Sequence, residues 1–126
     1  MAHKISNEPK GRGVLVTLSG LIKADEIYKL NEQLISHELF TRWRYQIWDF
    51  SGTERLELTP DDLRSFAIQD SQASRKNPGQ KVALIGRPNS RNLGLASVFH
   101  IFEEAWDGYD SKTFFDLDTA REWARQ

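Results

Sequence analysis

The chain has 126 residues, 17 basic against 18 acidic side chains, and no cysteine. That length fits one domain with its own core, and so even a charge balance gives no field to hold the protein on nucleic acid or an anionic membrane. Without thiols, disulfides, thiol nucleophiles and thiolate metal sites are excluded.

The first element predicted is a strand over 3–8, "HKISNE", followed by "PKGRG", whose Pro9, Gly11 and Gly13 suit a hairpin turn. "VLVTLSG" (14–20) is a stronger strand. From Ala24 the spacing of Ile27, Leu30, Leu34 and Ile35 gives a helical stripe, with Asp25 and Glu26 at the positive N-terminal end, and this helix is expected to run to about Phe40. "YQIWDF" (45–50) is a buried-strand segment, 59–77 a helix, "KVALIG" (81–86) a strand, 89–106 a helix, "KTFFDL" (112–117) a strand, and the chain closes on a helix capped by Asp118. The order is β-β-α-β-α-β-α-β-α. Helical connections between strands imply right-handed parallel crossovers, so the expectation is an α/β domain over 1–126. It would hold a five-stranded mixed sheet with the first strand antiparallel at an edge.

No apolar run approaches the ~18 residues a membrane-crossing helix requires. "MAHKISNEPKGRG" also lacks the apolar centre and small-residue cleavage site of a secretion signal, so a cytoplasmic protein without stable membrane insertion is expected.

The element order, together with "IWDFSGTERLELTPDDLRSF" and "KTFFDLDTAREWARQ", resembles the STAS fold of anti-sigma-factor antagonists. It is more closely similar to the SpoIIAA-like branch, also grouped as STAS/SEC14-like. The resemblance covers nearly the whole chain and implies a regulatory module that docks a protein partner, such as an anti-sigma-factor-like kinase. In the antagonists a strand ending in Asp-Leu-Ser-Gly leads to Asp-Ser-Ser-Gly at the start of the next helix, and the second of those serines is phosphorylated. Here that serine falls on Thr59, with Glu57 in place of the aspartate, Leu58 in place of the first serine and Pro60 in place of the glycine.

Thr59 ahead of Pro60, Asp61 and Asp62 is also a complete helix start, the threonine oxygen accepting from free N–H groups and the proline fitting the first helical position. A phosphate there would meet a favourable helix terminus but also Asp61 and Asp62. "GRPNSRN" (86–92) follows a parallel strand and opens a helix, where Arg87, Ser90 and Arg91 could hold an anion, although the spacing of a phosphate loop is absent. The expected partner surface is therefore Asp49, Ser51, Glu57, Thr59, Arg87, Ser90 and Arg91, with the 51–59 and 86–92 loops side by side.

Catalysis is not indicated: Asp49, Ser51, Glu54 and Glu57 are close in sequence but form no recognised acid–base set. The three histidines, His3, His37 and His100, include no i, i+4 pair, so neither a metal nor any other cofactor is expected. The rings in "FTRWRYQIWDF" are assigned to the two faces of a helix-covered sheet rather than to a stacking surface for nucleic acid, with Trp43 expected to be partly exposed. A second function is a carrier of a small apolar, lipid-like ligand, suggested by the SEC14-like grouping and by the Phe and Trp residues of the last two helices. On the 89–106 helix Leu95, Val98, Phe99, Phe102 and Trp106 form an apolar stripe that Ile101 and Ala105 widen to about 160°. That width implies either cover from the last helix through Trp123 or a homodimer through this face, so Phe99, Ile101 and Ala105 are the candidate dimer or apolar-ligand residues.

Overall fold

The computed structural model of the chain describes residues 2–126; Met1, part of the expected 1–126 domain, lies outside them. The strands are β1 (Ala2–Asn7), β2 (Gly13–Lys23), β3 (Tyr45–Glu57), β4 (Lys81–Ile85) and β5 (Asp110–Phe114). The helices are α1 (Ala24–Ile35), α2 (Pro60–Ala73), α3 (Asn92–Ala105) and α4 (Leu117–Ala124). They make one five-stranded sheet in the order β1-β2-β3-β4-β5, with β1 antiparallel to β2 and every other pair parallel. This is the expected mixed sheet.

Strand order and chain order coincide, which fixes where the helices go. Each parallel crossover steps the same way across the sheet, and right-handed crossovers taken in one direction all fall on one face. α1, α2 and α3 share that face, packing Ile27, Leu30, Leu63, Phe66 and Phe99 onto the inward residues Val14, Val16, Leu18, Trp48 and Val82. α4 follows the last strand and covers the other face, where Ala120 and Ala124 lie against Tyr45, Ile47, Ala83 and Ile85. The alternation along β3 is the expected one.

Several expectations are corrected. β3 does not end at Phe50: Ser51–Glu57 continues as strand, paired in parallel with Ser19–Lys23 of a β2 that outlasts its expected end at Gly20. The polar composition of "SGTERLE" conceals this, because the extension is a two-stranded ribbon overhanging the sheet beyond β4. Register shifts at Thr17/Ser19 and Gly20/Leu21 accommodate it, and Gly20 adopts φ 80°, a conformation that glycine takes without steric cost. α1 stops at Ile35 rather than Phe40, and α2 at Ala73 rather than Asn77. Asn77 is instead turned into the core, where its Nδ2 donates to the Phe40 and Trp43 carbonyls at 2.6 and 2.7 Å. α3 begins at Asn92 and β5 spans 110–114 instead of 112–117. α4 is capped by Asp116, whose Oδ1 accepts from Thr119 N at 2.8 Å, and not by Asp118.

Trp43, expected at the surface, is 1% exposed and packs edge-on against Phe40. Its flanking arginines suggest the surface, but the residue follows a short 3₁₀ segment (Phe40–Arg42) in extended conformation and its ring joins the core. Trp123 does not reach α3, because it lies on the opposite face against Phe114.

Candidate functional site

The C-terminal ends of β2, β3 and β4 lead into α1, α2 and α3, and in open α/β sheets ligands bind at this edge, outside the carboxyl ends of the strands. The ribbon formed by β2 and β3 stands on one side of it. On the other side is the turn between β4 and α3, where Asn89 takes φ 60°, a left-handed conformation that asparagine tolerates. Arg87 joins the two: its Nη2 donates to the Thr53 carbonyl at 2.7 Å, occupying an acceptor on the free edge of β3 that no neighbouring strand reaches. The 51–59 and 86–92 segments are thus side by side, as expected, although the first is mostly strand.

The individual residues take modest roles. Asp49 Oδ1 accepts from both the Ser51 backbone N–H (2.9 Å) and its hydroxyl (2.6 Å), closing a local turn. Glu57 is exposed beside Arg55 at 3.7 Å. Ser90 Oγ accepts from Asn92 N at 3.1 Å, and Arg91 precedes α3 with no side-chain cap. Thr59 caps α2 as expected: its Oγ1 accepts from Asp62 N at 3.2 Å while Thr59 N donates to Asp62 Oδ2 at 2.8 Å, a reciprocal capping box. Replacing Thr59 by alanine is expected to lower unfolding stability by about 1 kcal/mol, read from urea unfolding midpoints.

Between the ribbon, α2, α3 and the sheet lies a cavity of about 100 Å³, walled by Trp48, Phe50, Phe66, Leu84, Leu95 and Phe99. Arg87 and Ser90 line it at the strand edge, while Gln46, Asn31 and Asp70 line it farther in. The sequence reading did not anticipate this cavity or its polar lining.

Asp70 belongs to a buried polar seam across three helices. Asn31 Nδ2 donates to Gln69 Oε1 (2.8 Å) and Asp70 Oδ1 (3.0 Å), joining α1 to α2. Glu103 of α3, 1% exposed, accepts from Tyr109 N at 2.7 Å through Oε2. Its Oε1 has no hydrogen-bond partner, and the Asp70 side chain is close enough to Glu103 for the two acids to hydrogen-bond once one of them is protonated. Burial, reinforced by the Asp70 carboxylate, pushes Glu103 up to about 11, and burial also raises Asp70. Two acids in a dry seam hold one proton between them. Nearby, His100 lies between the Ser111 and Thr113 hydroxyls at 2.6 and 2.7 Å, and burial lowers its pKa.

The second candidate surface divides. Phe99 is buried in the core, while Ile101 is 64% exposed and Ala105 is exposed with it. α4, being on the other face, leaves them uncovered. Among the described residues no three His, Asp or Glu side chains are grouped to hold a metal ion, and no helix is long and apolar enough to cross a membrane.

The fold is that of the SpoIIAA-like, or STAS, class. An anti-sigma factor antagonist from Mycobacterium paratuberculosis superposes with a TM-score of 0.66 at 13% identity, covering 99% of this chain and 94% of the other. The anti-sigma factor antagonist SpoIIAA in its unphosphorylated form gives 0.63 at 10% identity, with 98% of each chain covered. An uncharacterized Shewanella loihica protein with a SpoIIAA-like fold gives 0.60 at 15% identity, covering 98% and 92%. No protein-family model and no curated protein matches the chain.

Proposed function

We propose that the chain is a non-enzymatic regulatory module that docks a protein partner through the strand edge formed by Ser51–Thr59 and Gly86–Asn92. The observation that supports this reading is the Arg87–Thr53 bond, which holds two chemically rich segments as one surface at the carboxyl end of the sheet. The likeness in fold to anti-sigma factor antagonists supports a partner of the anti-sigma-factor kinase type. Thr59 acts in this reading as part of a fixed surface. Its hydroxyl caps α2, and a phosphate on it would stand among Asp61 and Asp62 in the same helical turn.

Site-specific photo-crosslinking in cells tests it. A crosslinker at Arg91 is expected to trap one protein, identified by mass spectrometry as an anti-sigma-factor-type kinase. The adduct is expected to disappear on Arg87→Glu, while a crosslinker at Lys29 on α1 traps none. Equal adducts from both positions, or one indifferent to Arg87→Glu, would refute docking at this edge.

A further inference from the structure

The cavity beneath this edge has a chemistry of its own, independent of whether a protein docks above it. Its volume of about 100 Å³ is far below what an acyl chain occupies and somewhat below the ~150 Å³ of an engineered apolar cavity known to take up benzene. A single flat ring system, using the space at the mouth, is the size that fits. The walls come from three directions: Trp48, Phe50 and Leu84 from the sheet, Phe66 from α2, and Leu95 and Phe99 from α3. An empty pocket lined in this way forfeits dispersion contacts that a ring would restore.

Polar groups restrict the occupant further. Asp70 is the carboxyl group on the wall, 5% exposed, and its Oδ1 already accepts from Asn31. With the proton shared by the pair on Glu103, Asp70 remains an acceptor, and a carboxylate oxygen, having more than one lone pair, favours a ligand carrying a donor over one carrying an acceptor or an anion. Arg87, the cation at the mouth, is engaged by the Thr53 carbonyl.

We propose that this cavity is a binding site for a small, uncharged aromatic molecule bearing one N–H or O–H donor, its ring between Phe50, Leu84 and Phe99 and its donor directed to Asp70.

Indole is the probe. Titrated into the full chain, it is expected to shift the NMR signals of Leu84, Leu95 and Phe99 saturably with a Kd near or below about 1 mM. At ten times that Kd it should raise the unfolding temperature by about 4–6 °C. Ala96→Phe, which places a ring into the cavity from α3, is expected to remove both effects. If that variant does not fold, Leu84→Phe fills the same space from the sheet side. Indene, the same shape without the N–H, gives up no hydrogen bond to water and binds tighter in a purely apolar cavity; with Asp70 accepting, indole binds at least as tightly. Shifts that do not saturate, or that persist in the filled variant, overturn the site, and tighter binding of indene overturns the role of Asp70.

Discussion

Glu8→Ala is expected to destabilise the protein by about 2–3 kcal/mol in urea unfolding at pH 7. Glu8 sits in the turn between β1 and β2 with its side chain 2% exposed, and its carboxylate takes both Nε and Nη2 of Arg121 at 2.8 Å. Tyr45 Oη donates to the same carboxylate at 3.2 Å, and Arg125 approaches at 3.5 Å. The group therefore ties the first hairpin to α4, which alone covers its face of the sheet. Removing one partner of a fully buried ion pair costs more than this, about 3–5 kcal/mol. Arg121 is 29% exposed, however, and can rehydrate when Glu8 is gone.

The pH dependence identifies the cause. The hydrogen bonds from Arg121 hold Glu8 below its ordinary value of 4.5, outweighing the opposing effect of burial. A depressed acid stabilises the fold fully above its unfolded pKa and loses that contribution as pH falls through the folded value. Glu8→Gln, which keeps the volume and loses the charge, should therefore differ most from wild type at pH 7 and approach it below pH 4.5. A gap that persists unchanged at pH 3 would mean that the ionised charge of Glu8 is not its source.

The fold was legible because its signals are periodic. Val14, Val16 and Leu18 alternate on β2, and Ile27, Leu30 and Leu34 recur at helical spacing on α1, so element type and order follow from two periods. The ribbon was not legible, because in Ser51–Glu57 the inward positions are Thr53 and Leu56, one polar and one only partly buried, three residues apart, so no apolar alternation with a period of two marks the strand. The side of the sheet taken by α4 was missed although the information was available: strands advancing in one direction place all three crossover helices together, and the helix after the last strand is free of that rule.

The polar seam carried a signal that went unread. Asn31 falls in the Ile27, Leu30, Leu34 stripe; Asp70 falls in the Leu63, Phe66, Ala67, Ala73 stripe; Glu103 falls in the Phe99, Phe102, Trp106 stripe. A polar residue at a core position in each of three successive helices, where each alone would be costly to bury, indicates that they meet. The cavity had no such signal, since an unfilled space depends on how side chains from distant elements fail to touch, and no spacing in one segment encodes that.

Glu103→Gln is expected to make the protein more stable than wild type in mild alkali. In the folded chain Glu103 keeps its proton up to about 11, against 4.5 ordinarily. A raised acid stabilises the fold fully below its unfolded pKa and loses that contribution as pH rises towards the folded value, because the native state holds a proton that the unfolded chain releases. One such proton changes stability by up to about 1.4 kcal/mol per pH unit. Sustained over the whole interval, that slope would amount to about 9 kcal/mol, a large part of the 5–15 kcal/mol typical of a small domain. The interval from pH 7 to 9 isolates the pair. Glu8 is lowered from 4.5 and His100 from 6.5, so neither contributes appreciably within it, and Tyr109, raised chiefly by burial, titrates above it. Wild type should then lose about 3 kcal/mol across the interval. Glutamine in place of Glu103 can still accept from Tyr109 N and offers a permanent N–H to Asp70, so the variant should stay level. Parallel stability curves for the two proteins would show that the acids do not share a proton. Crossing curves, with the variant ahead at pH 9, would establish that the seam joining α2 to α3 is held by it.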